Sequence, residues 1–259
     1  MRTNMMNTLR MSFLAGVFLL GACGGGSSTH GAVGTGPWLP LKVGNRWTYQ
    51  ITDIDGTVSV KVQGVVSEEL VGGDGDAKNT KAFKLVTGNK FADPNGDISY
   101  QTLVDSRVVR FRELSIDGKT GARKKEEYYA EPWKLRVDVS AAHTTMGASW
   151  VESYQSFTVD TPKVPMATPD ASAIEDAGVS PSDGGLVTTS TQVQETWEVT
   201  GSDEPVTVPA GTFKALMVNR ISQGTNKTFW FVRGVGKVKE TGLGEQTEEL
   251  TTYEVSPSP

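Results

Sequence analysis

Apolar and polar residues alternate with a period of two in one short run after another along this chain. In "RWTYQI" (46–51) the alternation puts Trp47, Tyr49 and Ile51 on one side, and in "TVSVKV" (57–62) it does the same for Val58, Val60 and Val62. Successive side chains of a β-strand point to opposite faces, so this period means strands with one face buried. Similar runs follow at 81–86, 107–114, 149–159, 193–199, 212–221, 227–232, 236–241 and 250–255. Between them "DIDG", "VGGDGD", "DPNGD", "IDGKTG", "PAG" and "RGVG" supply the Gly, Asn, Asp and Pro that chain reversals require. No stretch holds a helical period beyond about three turns. The expected fold is all-β: an antiparallel meander that curls into a half-barrel, barrel or sandwich to bury its apolar face.

The chain has a single cysteine, Cys23, in "LLGAC" followed by "GGGSS". Ahead of it stand Arg2 and Arg10 with no acid, then the uncharged run "MSFLAGVFLLGA". As a helix that run is about 18 Å long, against a hydrocarbon core of about 30 Å, too short to span comfortably and suited to an excisable signal segment. Leu20-Gly21-Ala22-Cys23 resembles the lipobox of bacterial lipoproteins, in which the cysteine sulfur takes a diacylglyceryl group and becomes the new N-terminus. That resemblance implies lipidation at Cys23, cleavage after residue 22, and a membrane partner reached through the lipid. Gly24 rather than Asp after the cysteine implies placement at the outer membrane.

Residues 23–37 are Gly- and Ser-rich and read as a flexible tether. A single β-rich domain is expected over 38–255, with an insertion at about 162–186 where Pro, Ala, Ser, Asp and Gly concentrate and no aromatic residue occurs. Loss of residues 1–22 removes two arginines and no acid, leaving 23 basic against 30 acidic residues. An acidic surface of this kind disfavours nucleic acid as a partner.

"WLPLKVGNRWTYQI" (38–51), "VPAGTFKALMVNRI" (208–221) and "TFWFVRGVGKVKE" (228–240) resemble the opening and closing halves of predicted bacterial envelope lipoproteins. In strand pattern these are similar to the curved half-barrels of the lipoprotein-carrier type, whose concave apolar face holds acyl chains. The resemblance implies a ligand face, and alternation nominates Trp47, Tyr49, Val58, Val60 and Val62 for it, joined by Phe213 and Phe229. The tryptophans at 38, 47, 150, 197 and 230 read as core or rim aromatics, or as a stacking platform.

Catalytic chemistry finds little footing. The expected domain holds one histidine, His143, and although Ser149 follows six residues later, "GASWV" lacks the second glycine of a nucleophile elbow. Metal ligands are sparse; Asp93, Asn95 and Asp97 alternate in "DPNGD" but lack the rest of an EF-hand loop and read as a turn. The expectation is a non-enzymatic envelope lipoprotein without cofactor or metal, a binding or assembly module whose partner is an apolar ligand or an envelope protein. Two alternatives stand beside it: a carrier or sensor of an apolar ligand, and a glycan-acting enzyme using paired carboxylates.

Overall fold

The computed structural model describes residues 36–160, 187–242 and 246–256. The signal segment, Cys23, nearly all of the tether and the insertion at 162–186 lie outside the described residues.

Thirteen strands make one antiparallel sheet, and no helix occurs among the described residues. They are β1 (Arg46–Thr52), β2 (Val58–Leu70), β3 (Lys81–Gly88), β4 (Asp97–Val104), β5 (Arg107–Ile116), β6 (Arg123–Tyr129), β7 (Lys134–Asp138), β8 (Ser149–Asp160), β9 (Val187–Val208), β10 (Gly211–Ser222), β11 (Thr225–Val232), β12 (Gly236–Gly242) and β13 (Thr247–Glu254). The sheet runs β4-β3-β2-β1-β13-β12-β11-β10-β9-β8-β6-β5, and β5 pairs back with β4, so twelve strands close into a barrel. Closure leaves no long sheet edge unpaired. The thirteenth strand, β7, shares an edge of β5 with β6: it pairs with Arg107–Arg110, and β6 pairs with Arg112–Ile116.

The ten runs read from alternation all lie in strands, while β4, β6 and β7 escape that reading. "RKKEEYY" carries charges on both faces, "DISYQTLV" sets the polar Ser99 and Gln101 among its buried positions, and "KLRVD" alternates but is only five residues long. A strand whose inward face carries Lys, Arg or Glu loses the apolar signal on which period-two recognition depends.

The inside is divided. Near the start of β1, two apolar clusters fill the barrel, one around Trp47, Tyr49, Val65, Leu85 and Leu250, the other around Val108, Leu135, Trp197, Leu216 and Phe229. The segment Trp38-Leu39-Pro40-Leu41 packs among them, Trp38 in the second cluster and Leu41 against both. It is tied down by Gly234 N–H donating to Pro37 O and by Asn45 Nδ2 donating to Pro40 O, while Asn45 Oδ1 accepts from Ser256 N near the other terminus. A third cluster, with Val71, Tyr100, Val109 and Phe111, lies outside the barrel wall, where the β2–β3 loop folds over β4 and β5. Arg112 pins that loop, donating to Val71 O at 2.8 Å and pairing with Glu126.

Register corrects the expected ligand face. The β1–β2 reversal spans residues 53–57, closed by Asp53 N–H to Thr57 O and by Thr57 N–H to the Asp55 carboxylate, with Gly56 at φ 83°. That length pairs Thr52 with Val58, and hence Tyr49 with Lys61 and Trp47 with Gln63. Directly paired residues share a face, so Lys61 and Gln63 point inward and Val58, Val60 and Val62 point out. Val58 and Val60 are 58% and 56% exposed. Replacing both with Thr is expected to change stability by less than about 1 kcal/mol, since exposed sites usually contribute within about 0.5 kcal/mol each. A loss above about 2 kcal/mol in urea unfolding would instead return the valines to a packed face.

Candidate functional site

Beyond the apolar clusters, toward the β1–β2, β3–β4 and β10–β11 reversals, the barrel interior turns from hydrocarbon to charge. A cavity of about 210 Å³ lies there, with Thr87 and Asp97 from the β3–β4 hairpin and Gln246 ahead of β13 in its lining. Five basic side chains face it, Lys61, Arg110, Arg136, Lys227 and Lys237, against four carboxylates, Asp97, Glu113, Glu240 and Glu248. Most arrive from strand positions that alternation sends inward, while Arg136 is the unpaired residue of a bulge in β7, between the buried Leu135 and Val137, and Lys237 adjoins a bulge in β12. Lys61 stands opposite Tyr49, Lys227 is two residues from the buried Phe229, and Glu240 pairs with Phe229 across β11 and β12.

Most of these charges are matched. Glu248 takes Lys61 and, at 2.8 Å, Lys237; Glu240 takes Lys237 and, at 2.9 Å, Lys227; Glu113 takes Arg110 and, at 3.9 Å, Lys134. Lys237 is therefore the shared cation of two carboxylates, and its ammonium also lies 5.3 Å from the centre of the Tyr49 ring, whose hydroxyl donates to Lys237 O. Burial raises the pKa of Glu113, but Arg110, Lys134 and Arg136 outweigh it and hold the carboxyl at about 2. In Glu240 and Glu248 burial is likewise outweighed, chiefly by Lys237, and both sit below the ordinary range. Burial lowers Lys237, yet the same two carboxylates bring it above its ordinary value.

Arg136 is the exception. It has no hydrogen bond, and no carboxylate at ion-pair distance, among the described residues, and its Nε is buried without a partner. Burial, then the neighbouring Arg110 and Arg220, bring its pKa down to about 10. Lys134, at the same strand's start, falls to about 8 through burial and Arg110. Among the described residues that line the cavity, basic groups outnumber carboxylates five to four.

The residues expected to hold an apolar ligand meet a different fate. Trp47 and Tyr49 are each 1% exposed, Phe213 packs against their cluster, and Phe229 is buried in the neighbouring one, stacked on Trp197 at 6.1 Å. Self-packing leaves none of them an open face. An outward groove of about 260 Å³ is lined instead by Tyr128, Phe157 and Val159 beside the β2–β3 loop, positions that alternation alone did not single out.

His143 bonds Asp138 through Nδ1 at 2.8 Å, and its ring stacks on Trp150 at 4.0 Å. Ser149 makes no hydrogen bond to it among the described residues. Trp150 Nε1 donates to Glu152, which also takes Arg107, and burial raises the Glu152 pKa. In "DPNGD", Asp93 accepts from the backbone amides of Asn89 and Asn95 and so serves the turn, while Asp97 accepts from that of Ile116 and ties the start of β4 to the end of β5. Among the described residues no group of three or more His, Cys, Asp and Glu is placed to hold a metal ion, and no helix is long and apolar enough to cross a membrane.

The signal for the charged cavity was present in sequence: a charged residue two places from a buried apolar one on the same strand, as in Lys227 with Phe229, Arg110 with Val108 and Glu248 with Leu250. What sequence lacked was the closure that brings these strands round to face one another.

No family model matches the sequence, and no curated protein matches it. Among solved structures, a predicted lipoprotein from Parabacteroides distasonis ATCC 8503 aligns with a TM-score of 0.42 at 12% identity, covering 85% of this chain and 99% of that one.

Proposed function

We propose that this chain is a non-catalytic, lipid-anchored protein of a bacterial cell envelope, in which a rigid β-barrel serves as a binding module and the charged cavity is its ligand site. The observation that carries the binding reading is the cavity itself, which is open, lined by nine ionisable side chains and left with an unpaired guanidinium. A barrel kept only for rigidity gains nothing from it, since burying charge opposes folding unless each charge is matched. The apolar-carrier alternative loses support because the aromatic side chains it needs are spent on packing. At this cavity the carboxylate-enzyme alternative loses support because Glu113, Glu240 and Glu248 are all held ionised by cations, whereas a glycosidase acid must stay protonated.

The anchor rests on the lipobox resemblance at Cys23, and the geometry suits it: the described chain begins at Gly36, packed beside Gly234, at the barrel end away from the cavity. Outer-membrane placement belongs to the same proposal. Cys23→Ser is expected to abolish labelling by a palmitate analogue and membrane association through the lipid. The serine variant should accumulate as an unlipidated precursor, and cell fractionation in high salt is the check. A serine variant that remains membrane-bound in high salt would overturn the anchor.

A further inference from the structure

The cavity holds more basic than acidic groups, and the surplus is localised. Glu113, Glu240 and Glu248, the buried carboxylates that line the cavity, are each within ion-pair distance of two other cations, and Glu195, buried on β9, pairs with Arg220; none of them has Arg136 at ion-pair distance. We infer that the barrel binds a small oxyanion, a carboxylate or phosphate group on a compact molecule, with the Arg136 guanidinium as its central donor and Arg110 and Lys61 beside it. This deepens the binding-module reading and rests on it.

Three features fit that ligand. Guanidinium presents its donors in a planar fork that matches two oxygens of a carboxylate or phosphate, which suits Arg136 better than a neutral ligand would. The cavity of about 210 Å³ has room for a small molecule, and its lining is almost wholly polar, which suits an anion rather than an acyl chain. The depressed Arg136 and Lys134 pKa values, to about 10 and about 8, come from burial and crowded like charge, which an incoming anion relieves. Because the site lies inside the barrel, salt screens it less than it would a surface patch.

The test uses the purified full chain in a chloride buffer of fixed ionic strength. Inorganic phosphate and succinate are titrated as separate arms, which distinguishes the two oxyanion sources, and erythritol is the neutral control. Calorimetry should show saturable one-to-one binding of at least one anion, with the thermal midpoint rising as its concentration passes Kd. Arg136→Met should weaken that binding by about ten-fold or more and, with no anion present, leave the midpoint within about two degrees of the wild type or above it, because loss of a buried charge without an ion pair offsets the weaker support of Glu113, which keeps Arg110 and Lys134. Arg136→Lys keeps the charge without the fork and should bind at an intermediate level. Binding of erythritol alone would overturn the anion while leaving the module reading in place. Absence of binding by all three probes, together with a lower midpoint in Arg136→Met, would make the cavity a structural ion network and overturn both. Anion binding that Arg136→Met leaves intact would remove Arg136 from the site.

Discussion

Lys237→Met is expected to cost about 3 kcal/mol of folding stability at neutral pH, in the range for breaking a buried ion pair by removing one partner. The methionine preserves the length of the side chain but leaves Glu240 with Lys227 alone and Glu248 with Lys61 alone. Both carboxylates are largely buried, so each retains the expense of burial with half its compensation. The sign of the pH dependence distinguishes this from a simple packing loss. In the wild type these carboxyls sit below their ordinary pKa, so they contribute stability above about 4.3 that disappears as pH falls further. In the variant, burial opposes ionisation with less to offset it, and protonation relieves the strain. The difference between the two proteins in urea unfolding should therefore shrink steadily from pH 7 toward pH 4. A loss under about 1 kcal/mol at neutral pH, or one independent of pH, would show that the cluster is solvated like a surface network.

Trp47→Ala should be comparably severe, about 3–5 kcal/mol, the usual range for truncating a buried tryptophan. Trp47 is 1% exposed within the cluster that closes the lower barrel, and its Nε1 donates to Val235 O at 2.5 Å. Truncation opens a void and leaves that carbonyl without its donor. The space is closely fitted: a Cβ added to Gly236, whose φ is 109°, would stand 3.1 Å from Trp47 Nε1. Because Trp38, Leu39 and Leu41 pack across the same end of the barrel, the variant should also lose much of its unfolding cooperativity, seen as broader thermal melts than the wild type. A fall in midpoint of under about 3 °C, less than about 1 kcal/mol for a domain of this size, would mean that the end segment refills the void.

Much of the architecture was legible because it is local. Period-two runs gave ten of the strands, and Gly, Asn, Asp and Pro marked the reversals between them. Of the missed strands, β7 is only five residues long, and a bulge at Arg136 interrupts its pairing; β4 and β6 were missed because Ser99 and Glu127 face an interior that is itself polar, so apolar alternation does not mark which side is inside. The same reason misplaced Val58, Val60 and Val62. Their alternation is real, but it marks an outward face; the inward positions are Lys61 and Gln63, which a reading based on hydrophobicity assigns to solvent.

From the amino-acid sequence alone came the all-β class, the turn positions, the Gly/Ser leader to the domain and the cysteine suited to lipidation, each a property of a few neighbouring residues. Tertiary structure decided the rest, beginning with closure, since the β4–β5 pairing that seals the ring joins strands whose hydrogen-bonding groups would serve an open sheet equally well. It also decided face and charge. A five-residue reversal at 53–57 sets the parity of the β1–β2 register, and a change of one residue would exchange inside for outside along the whole strand. Lys61, Lys237, Glu240 and Glu248 come from three strands, and Arg136 from a fourth far away in sequence, so the ion pairs of the first four, and an Arg136 without one among the described residues, exist only once the barrel has closed.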